Sequence, residues 1–171
     1  GSISGTVVKA FGAAPSLRSI VIADSSFADG ALLNLEGVSN KLVRSMECNS
    51  AQVCCLFPRL EEVNLKDVKN ADITTLAKCC VHIRVATLTL QDKLHAADAE
   101  SVCKYWCHIH KLALHTPFGS GSAATDDAAV LLITQCVSLV SLHLTQATYG
   151  LRPSYRATLP PLVCSAQYKG A

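Results

Sequence analysis

Five windows of this chain place apolar residues at their first, fourth and sixth positions: Leu17-Arg18-Ser19-Ile20-Val21-Ile22, Leu60-Glu61-Glu62-Val63-Asn64-Leu65, Val85-Ala86-Thr87-Leu88-Thr89-Leu90, Ile109-His110-Lys111-Leu112-Ala113-Leu114 and Leu139-Val140-Ser141-Leu142-His143-Leu144. Alternation at the fourth and sixth positions is the period of a strand with one buried face. A recurring pattern constrains the fold more than any single motif. Each copy has an apolar face that it cannot cover alone, and stacking on neighbours is the way to bury it.

The flanks support a unit of strand, loop, helix and turn. Six residues before each central apolar position stand Ala14, Phe57, His82, Trp106 and Cys136. Past the strands Asp29, Asp72, Asp98 and Asp127 recur, each followed four residues on by Leu33, Leu76, Val102 or Leu131. Asp at a helix start satisfies free backbone N–H groups and complements the dipole, and the residue four on turns inward. Central positions are separated by 43, 25, 24 and 30 residues. The last step is lengthened by the loop Pro117-Phe118-Gly119-Ser120-Gly121-Ser122. The first leaves two readings of residues 37–57. Either Val43 to Cys48 is the strand of a degenerate sixth unit, with a short helix over Ser50 to Phe57, or the segment holds a long helix or an insertion. Ahead of the first window, Thr6 to Phe11 is expected to end a helix.

Repeats of this length and consensus form the leucine-rich class. With Cys-rich helix ends and Asp helix starts, residues 14 to 146 resemble its cysteine-containing subclass, known from F-box substrate receptors of ubiquitin ligases; no F-box-like segment is read in this chain. The resemblance implies an α/β leucine-rich-repeat solenoid, with a curved parallel sheet on the concave side and helices on the convex side. Residues 1–2 read as a cleavage scar, 3–171 as one domain within a larger protein, and 147–171 as a C-terminal cap or tail.

Strand alternation then sets the outward positions. They are Arg18, Ser19, Val21 and Ala23; Glu61, Glu62, Asn64 and Lys66; Ala86, Thr87, Thr89 and Gln91; His110, Lys111, Ala113 and His115; Val140, Ser141, His143 and Thr145. Among these, Arg18, Glu61, Glu62, Asn64, Lys66, Thr87, Thr89, Gln91, His110, Lys111, His115, Ser141, His143 and Thr145 are the candidate partner-binding residues. They put acid on one unit and base two units along.

Other chemistry is poorly served. The formal net charge is +2 with the cations scattered, which argues against a nucleic-acid or anionic-membrane surface. The apolar run Ala128 to Leu144 is broken by five polar residues and is too interrupted to span a bilayer. Nine cysteines, an odd number, in apolar surroundings read as reduced, buried thiols of an intracellular protein. Cys103-x-x-x-Cys107-His108-x-His110 is the best metal candidate, but His110 should face away from the thiols. His115 and His143 lack an orienting acid or an oxyanion donor, so no catalytic set is expected. The expected function is a non-enzymatic protein-interaction module, monomeric in isolation and without cofactors, binding another protein on the strand face. The alternatives are a scaffold docked within a larger assembly and the recognition domain of a ubiquitin ligase.

Overall fold

The structure is a computed structural model and describes residues 1–22, 26–28, 30–33, 35–117 and 122–147. It is α/β. The main sheet contains six parallel strands: β2 (Ser19–Val21), β4 (Ser45–Cys48), β5 (Glu62–Val68), β6 (Val85–Leu90), β7 (Lys111–Pro117) and β8 (Ser141–Ala147). Within this sheet spatial order follows chain order, so each strand pairs with the next one of the same sheet. Helices α2 (Ala51–Cys54), α3 (Asn70–Cys79), α4 (Ala96–Tyr105) and α5 (Asp126–Gln135) connect successive strands from β4 onward, and each packs on the next. A small parallel ladder joins β1 (Ser2–Ile3) to β3 (Ser26–Phe27), so Ser2, read above as part of a scar, has a place in the fold.

Three buried columns run across the main sheet and give the six-residue windows their physical meaning. One holds Ile20, Met46, Val63, Ala86, Leu112 and Leu142, aligned by the strand register. A second holds Ile22, Cys48, Leu65, Leu88, Leu114 and Leu144, and a third Val43, Leu60, Ile83, Ile109 and Leu139, with Leu17 partly buried at its start. The helices close the same core with Ile73, Leu76, Ala99, Val102, Ala128 and Leu132. Burying each large aliphatic side chain is worth about 1.5–3 kcal/mol.

The register corrects one window. The strand over Val85–Leu90 forms, but Ala86 rather than Leu88 stands opposite Val63 and Leu112. The true window is therefore Ile83-Arg84-Val85-Ala86-Thr87-Leu88, with Ile83 fully buried at its first position. Ala86, expected outside, belongs to the core, whereas His82 is exposed and Cys80 takes the buried approach position. Residues 37–57 hold the strand of the first reading, β4, followed by the short helix α2. Only 17 residues separate Met46 from Val63, and one turn of helix suffices to return the chain.

The segment before β4 is fixed by Asn40. Its Nδ2 donates to the carbonyls of Phe11 (3.0 Å) and Ala14 (2.9 Å), and its Oδ1 accepts from the Leu42 amide. The first two are end carbonyls of α1 (Gly5–Ala13), which lack partners within the helix. The expected Asp29-led helix is not seen in the described residues there: Gly30 to Leu33 makes a turn and Leu33 is 69% exposed. Asp29 itself, Ala23, the loop residues 118–121 and the expected cap 148–171 lie outside the described residues. The other aspartates sit in first helical turns rather than at the caps, which are Lys69, His95 and Thr125. Asp72, Asp98 and Asp127 thus act on the dipole, while Thr125 accepts from the Ala128 amide. In α5 it is Leu132, not Leu131, that is fully buried.

Asp67 occupies a left-handed conformation, φ 61°, at the irregularity where β5 shifts register against β6, between Leu65 and Val68. Asp tolerates this region better than branched residues do, and the bulge re-aims the end of the strand.

Two measurements test this packing. Ala86→Asp is expected to unfold the protein or cost several kcal/mol by burying a charge, whereas Thr87→Asp, one residue along and facing out, should cost under about 1 kcal/mol in urea titration. Trp106 is 1% exposed with its indole N–H unpaired. Trp106→Ala should cost about 3–5 kcal/mol, and Trp106→Phe clearly less, since it keeps most of the ring and removes the orphan donor.

Candidate functional site

Once the inward columns are fixed, the residues between them must face the other way, because strand side chains alternate. Across the sheet they form rows. The first contains Ser19, Ser45, Glu62, Val85, Lys111 and Ser141, and the second Val21, Glu47, Asn64, Thr87, Ala113 and His143. A third pairs Thr89, His115 and Thr145 by backbone register. Glu62 and Lys111 share the first row two strands apart, about 10 Å by strand spacing, as the acid-then-base gradient requires.

Between β2 and β6 this face carries a shallow groove of about 270 Å3 lined by Val21, Ser45, Glu47, Glu62, Asn64 and Thr87. Val21 is 65% exposed, an apolar contact on a face that also holds the half-buried Val85 and Ala113. The Lys66 ammonium lies 3.8 Å from Glu47 Oε1, which places a cation against an acid of the same face. His115 and His143 stand diagonally on adjacent strands with ring centroids 5.9 Å apart. Gln91 lies past the end of β6 and donates to Asp67 Oδ1 at 2.9 Å, at the rim of the face.

A second feature runs along the edge where the strands begin. Backbone bonds there repeat from strand to strand: the Arg44 amide donates to Arg18 O, Glu61 to Arg44 O, Arg84 to Glu61 O, His110 to Arg84 O and Val140 to His110 O. Arg18, Arg44, Glu61, Arg84, His110 and Val140 are therefore equivalent positions. Beside them Arg44, Arg59, Glu61, His82, Arg84 and His108 line a groove of about 280 Å3. Arg44 Nη1 lies 3.3 Å from Glu61 Oε1 and donates to the Arg59 carbonyl. Glu61 thus answers Arg44 and does not form a joint acidic patch with its exposed neighbour Glu62. With one carboxylate among three guanidiniums, the groove is cationic.

Of the expected contact residues, Glu62, Asn64, Lys66, Thr87, Thr89, Lys111, His115, Ser141 and His143 share the strand face with the backbone of Thr145, while Arg18, Glu61 and His110 belong to the edge. Missed were Arg44, Arg59, Arg84, His82 and His108. The second position of each window carries the signal for Arg44 and Arg84 once six windows are aligned correctly.

The described thiols do not converge on histidine. Cys107 is exposed, His110 faces outward from the strand edge, and Cys103 turns toward Cys136. Among the described residues no three His, Cys, Asp or Glu side chains are placed to hold a metal ion. Burial and the contact with Cys55 push the Cys79 thiol up to about 11, and hydrogen bonding to Cys80 with burial pushes Cys55 up as well, so both stay protonated at neutral pH. No helix among the described residues is long and apolar enough to cross a membrane. No protein-family profile, curated protein or solved structure matches the chain.

Both partners of the Arg44–Glu61 pair are about two-fifths exposed, so water screens their attraction. A double-mutant cycle on Arg44→Ala and Glu61→Ala should give a coupling of about 0.2–1 kcal/mol. A larger value would mean the pair holds the fold and is not free to exchange partners.

Proposed function

We propose that this chain is a leucine-rich-repeat solenoid of the cysteine-containing kind, acting as a non-enzymatic module that binds another protein across the outward strand face. The observation that carries the reading is the joint arrangement of that face and its edge. Rows of small, polar and charged side chains lie open across six parallel strands, and one border is lined by Arg18, Arg44, Arg59 and Arg84. An extended partner segment laid across the strands would find acid at Glu62, base at Lys111 and an apolar contact at Val21. An acidic stretch of the same partner fits the arginine border, where guanidiniums hold carboxylates in bidentate geometry. Nucleic acid fits less well, because a phosphate backbone would also meet Glu47, Glu61 and Glu62.

A second reading, a scaffold docked within a larger assembly, is favoured by Val130, Val137 and Val140, which leave the last described unit with exposed apolar surface. Under the first reading the isolated domain is a monomer at every concentration; light scattering that shows concentration-dependent association would favour the second.

Affinity capture compares the wild type with two double variants, Arg44→Glu/Arg84→Glu and Glu62→Lys/Lys111→Glu. All four positions are at least partly exposed, so their melting temperatures should stay near that of the wild type. A protein held by the wild type and lost from both folded variants is the expected result. Retention by both removes the strand face and its edge as the site.

A further inference from the structure

The thiols of this chain are not equivalent. Cys48 and Cys54 approach to 3.7 Å but lie at or below 1% exposure, and Cys54 also packs on the Met46 sulfur. Cys79 and Cys107 are exposed, and Cys79 is in contact with Cys55. Cys103 and Cys136 differ from both groups. Cys103 stands on α4 near its C-terminal end and is partly exposed, whereas Cys136 is the C-cap residue of α5 and only 3% exposed. Because α4 packs along α5, residues 33 apart in sequence bring their Sγ atoms to 2.6 Å. Cys103 Sγ also lies 3.6 Å from the Leu131 carbonyl, so its sulfur points into the seam between the two helices. The sulfurs lie closer than two unbonded sulfur atoms normally approach, and the remaining gap to an S–S bond of about 2.05 Å is small.

We propose that Cys103 and Cys136 are a thiol–disulfide exchange site, at which a small-molecule disulfide converts the pair into a reversible covalent clamp between α4 and α5. Exposure sets the order of events. The Cys103 thiolate attacks one sulfur of the small disulfide; that S–S bond breaks, one half leaves as a thiolate and takes up a proton, and the other half stays bonded to Cys103. Cys136 then loses its proton, its sulfur attacks the Cys103 sulfur, and the second half leaves as a thiolate that is protonated in turn. Two protein thiols are oxidised, one small disulfide is reduced to two thiols, and excess small thiol reverses both steps. The proton distribution agrees with this order. Hydrogen bonding from the Cys136 thiol lowers the Cys103 thiol, and the same contact with burial raises Cys136. Cys103 is thus the thiol more easily ionised and the one more easily reached.

The clamp joins the last two described helices, behind strands β7 and β8, which carry Lys111, His115 and His143. Closing it would stiffen that part of the sheet without touching the strand face.

The test equilibrates the full chain in glutathione and glutathione disulfide at graded ratios, quenches exchange with acid, alkylates free thiols in denaturant, and maps peptides by mass spectrometry without reduction. Glutathione adducts on the exposed Cys107 show that the oxidant has acted. The expected result is a peptide cross-linked through Cys103 and Cys136, reversed by dithiothreitol, together with a higher melting temperature that Cys103→Ser abolishes. Cys103→Ser alters a partly exposed position and is expected to fold; Cys136→Ala supplies a second variant whose Cys103 should then stop at the glutathione adduct. The proposal is overturned if Cys103 carries only glutathione in the wild type at every ratio, if both cysteines remain separately alkylated while Cys107 is modified, or if either pairs with another cysteine such as Cys107 or Cys164.

Discussion

The lateral pairing of one strand with the next governs everything else in this molecule. Within the six-stranded sheet each strand shares backbone hydrogen bonds with the preceding and following strands of that sheet, in parallel. A parallel pair cannot be joined by a tight hairpin, so a crossover must lie between strands, and the helices meet that need from β4 onward. The register chosen by the backbone then places Ile20, Met46, Val63, Ala86, Leu112 and Leu142 in one buried column. A slip by one residue would reverse core and surface together. The outward face has no independent origin. Glu62, Asn64, Thr87 and Lys111 are exposed or half-exposed because Val63, Leu65, Ala86 and Leu112 are not.

The apolar windows made the strands legible in the sequence, and even the weak Val43-to-Cys48 window named the right residues for β4. What sequence could not decide was phase. Val85-Ala86-Thr87-Leu88-Thr89-Leu90 alternates throughout, and a period of two is unchanged by a shift of two residues. Only the partners Val63 and Leu112 select Ala86, whose small side chain had made it a poor candidate for the core. The same shift kept Arg84 outside the window, and the uncounted sixth window hid Arg44, so the arginine border was invisible. Helix starts were misread for another reason. An aspartate in the first turn and one at the cap look alike in sequence, and only backbone geometry places Lys69, His95 and Thr125 at the caps. Most of the outward strand-face positions were legible because alternation alone fixes their side; the edge was not, because it depends on phase.

Cysteine has two structural uses here. At Cys48, Cys54 and Cys80 it is a small buried apolar residue, and Cys80 stands at the end of α3 where Trp106 and Cys136 end α4 and α5. At helix ends the side chain must fit beneath the turn into the next strand, which suits a thiol as well as a large ring. The proximity of Cys103 and Cys136 arises from that placement, since a C-cap residue of one helix faces the flank of its neighbour.

The register of the central strands is the most direct point of attack on this account. Backbone amide and Hα contacts measured by nuclear Overhauser spectroscopy across β5, β6 and β7 should link Val63 to Ala86 and Ala86 to Leu112 in parallel patterns. Contacts that set Leu88 opposite Val63 and Leu112, or any antiparallel pattern among these strands, would contradict it and dissolve both the face and the border derived from it.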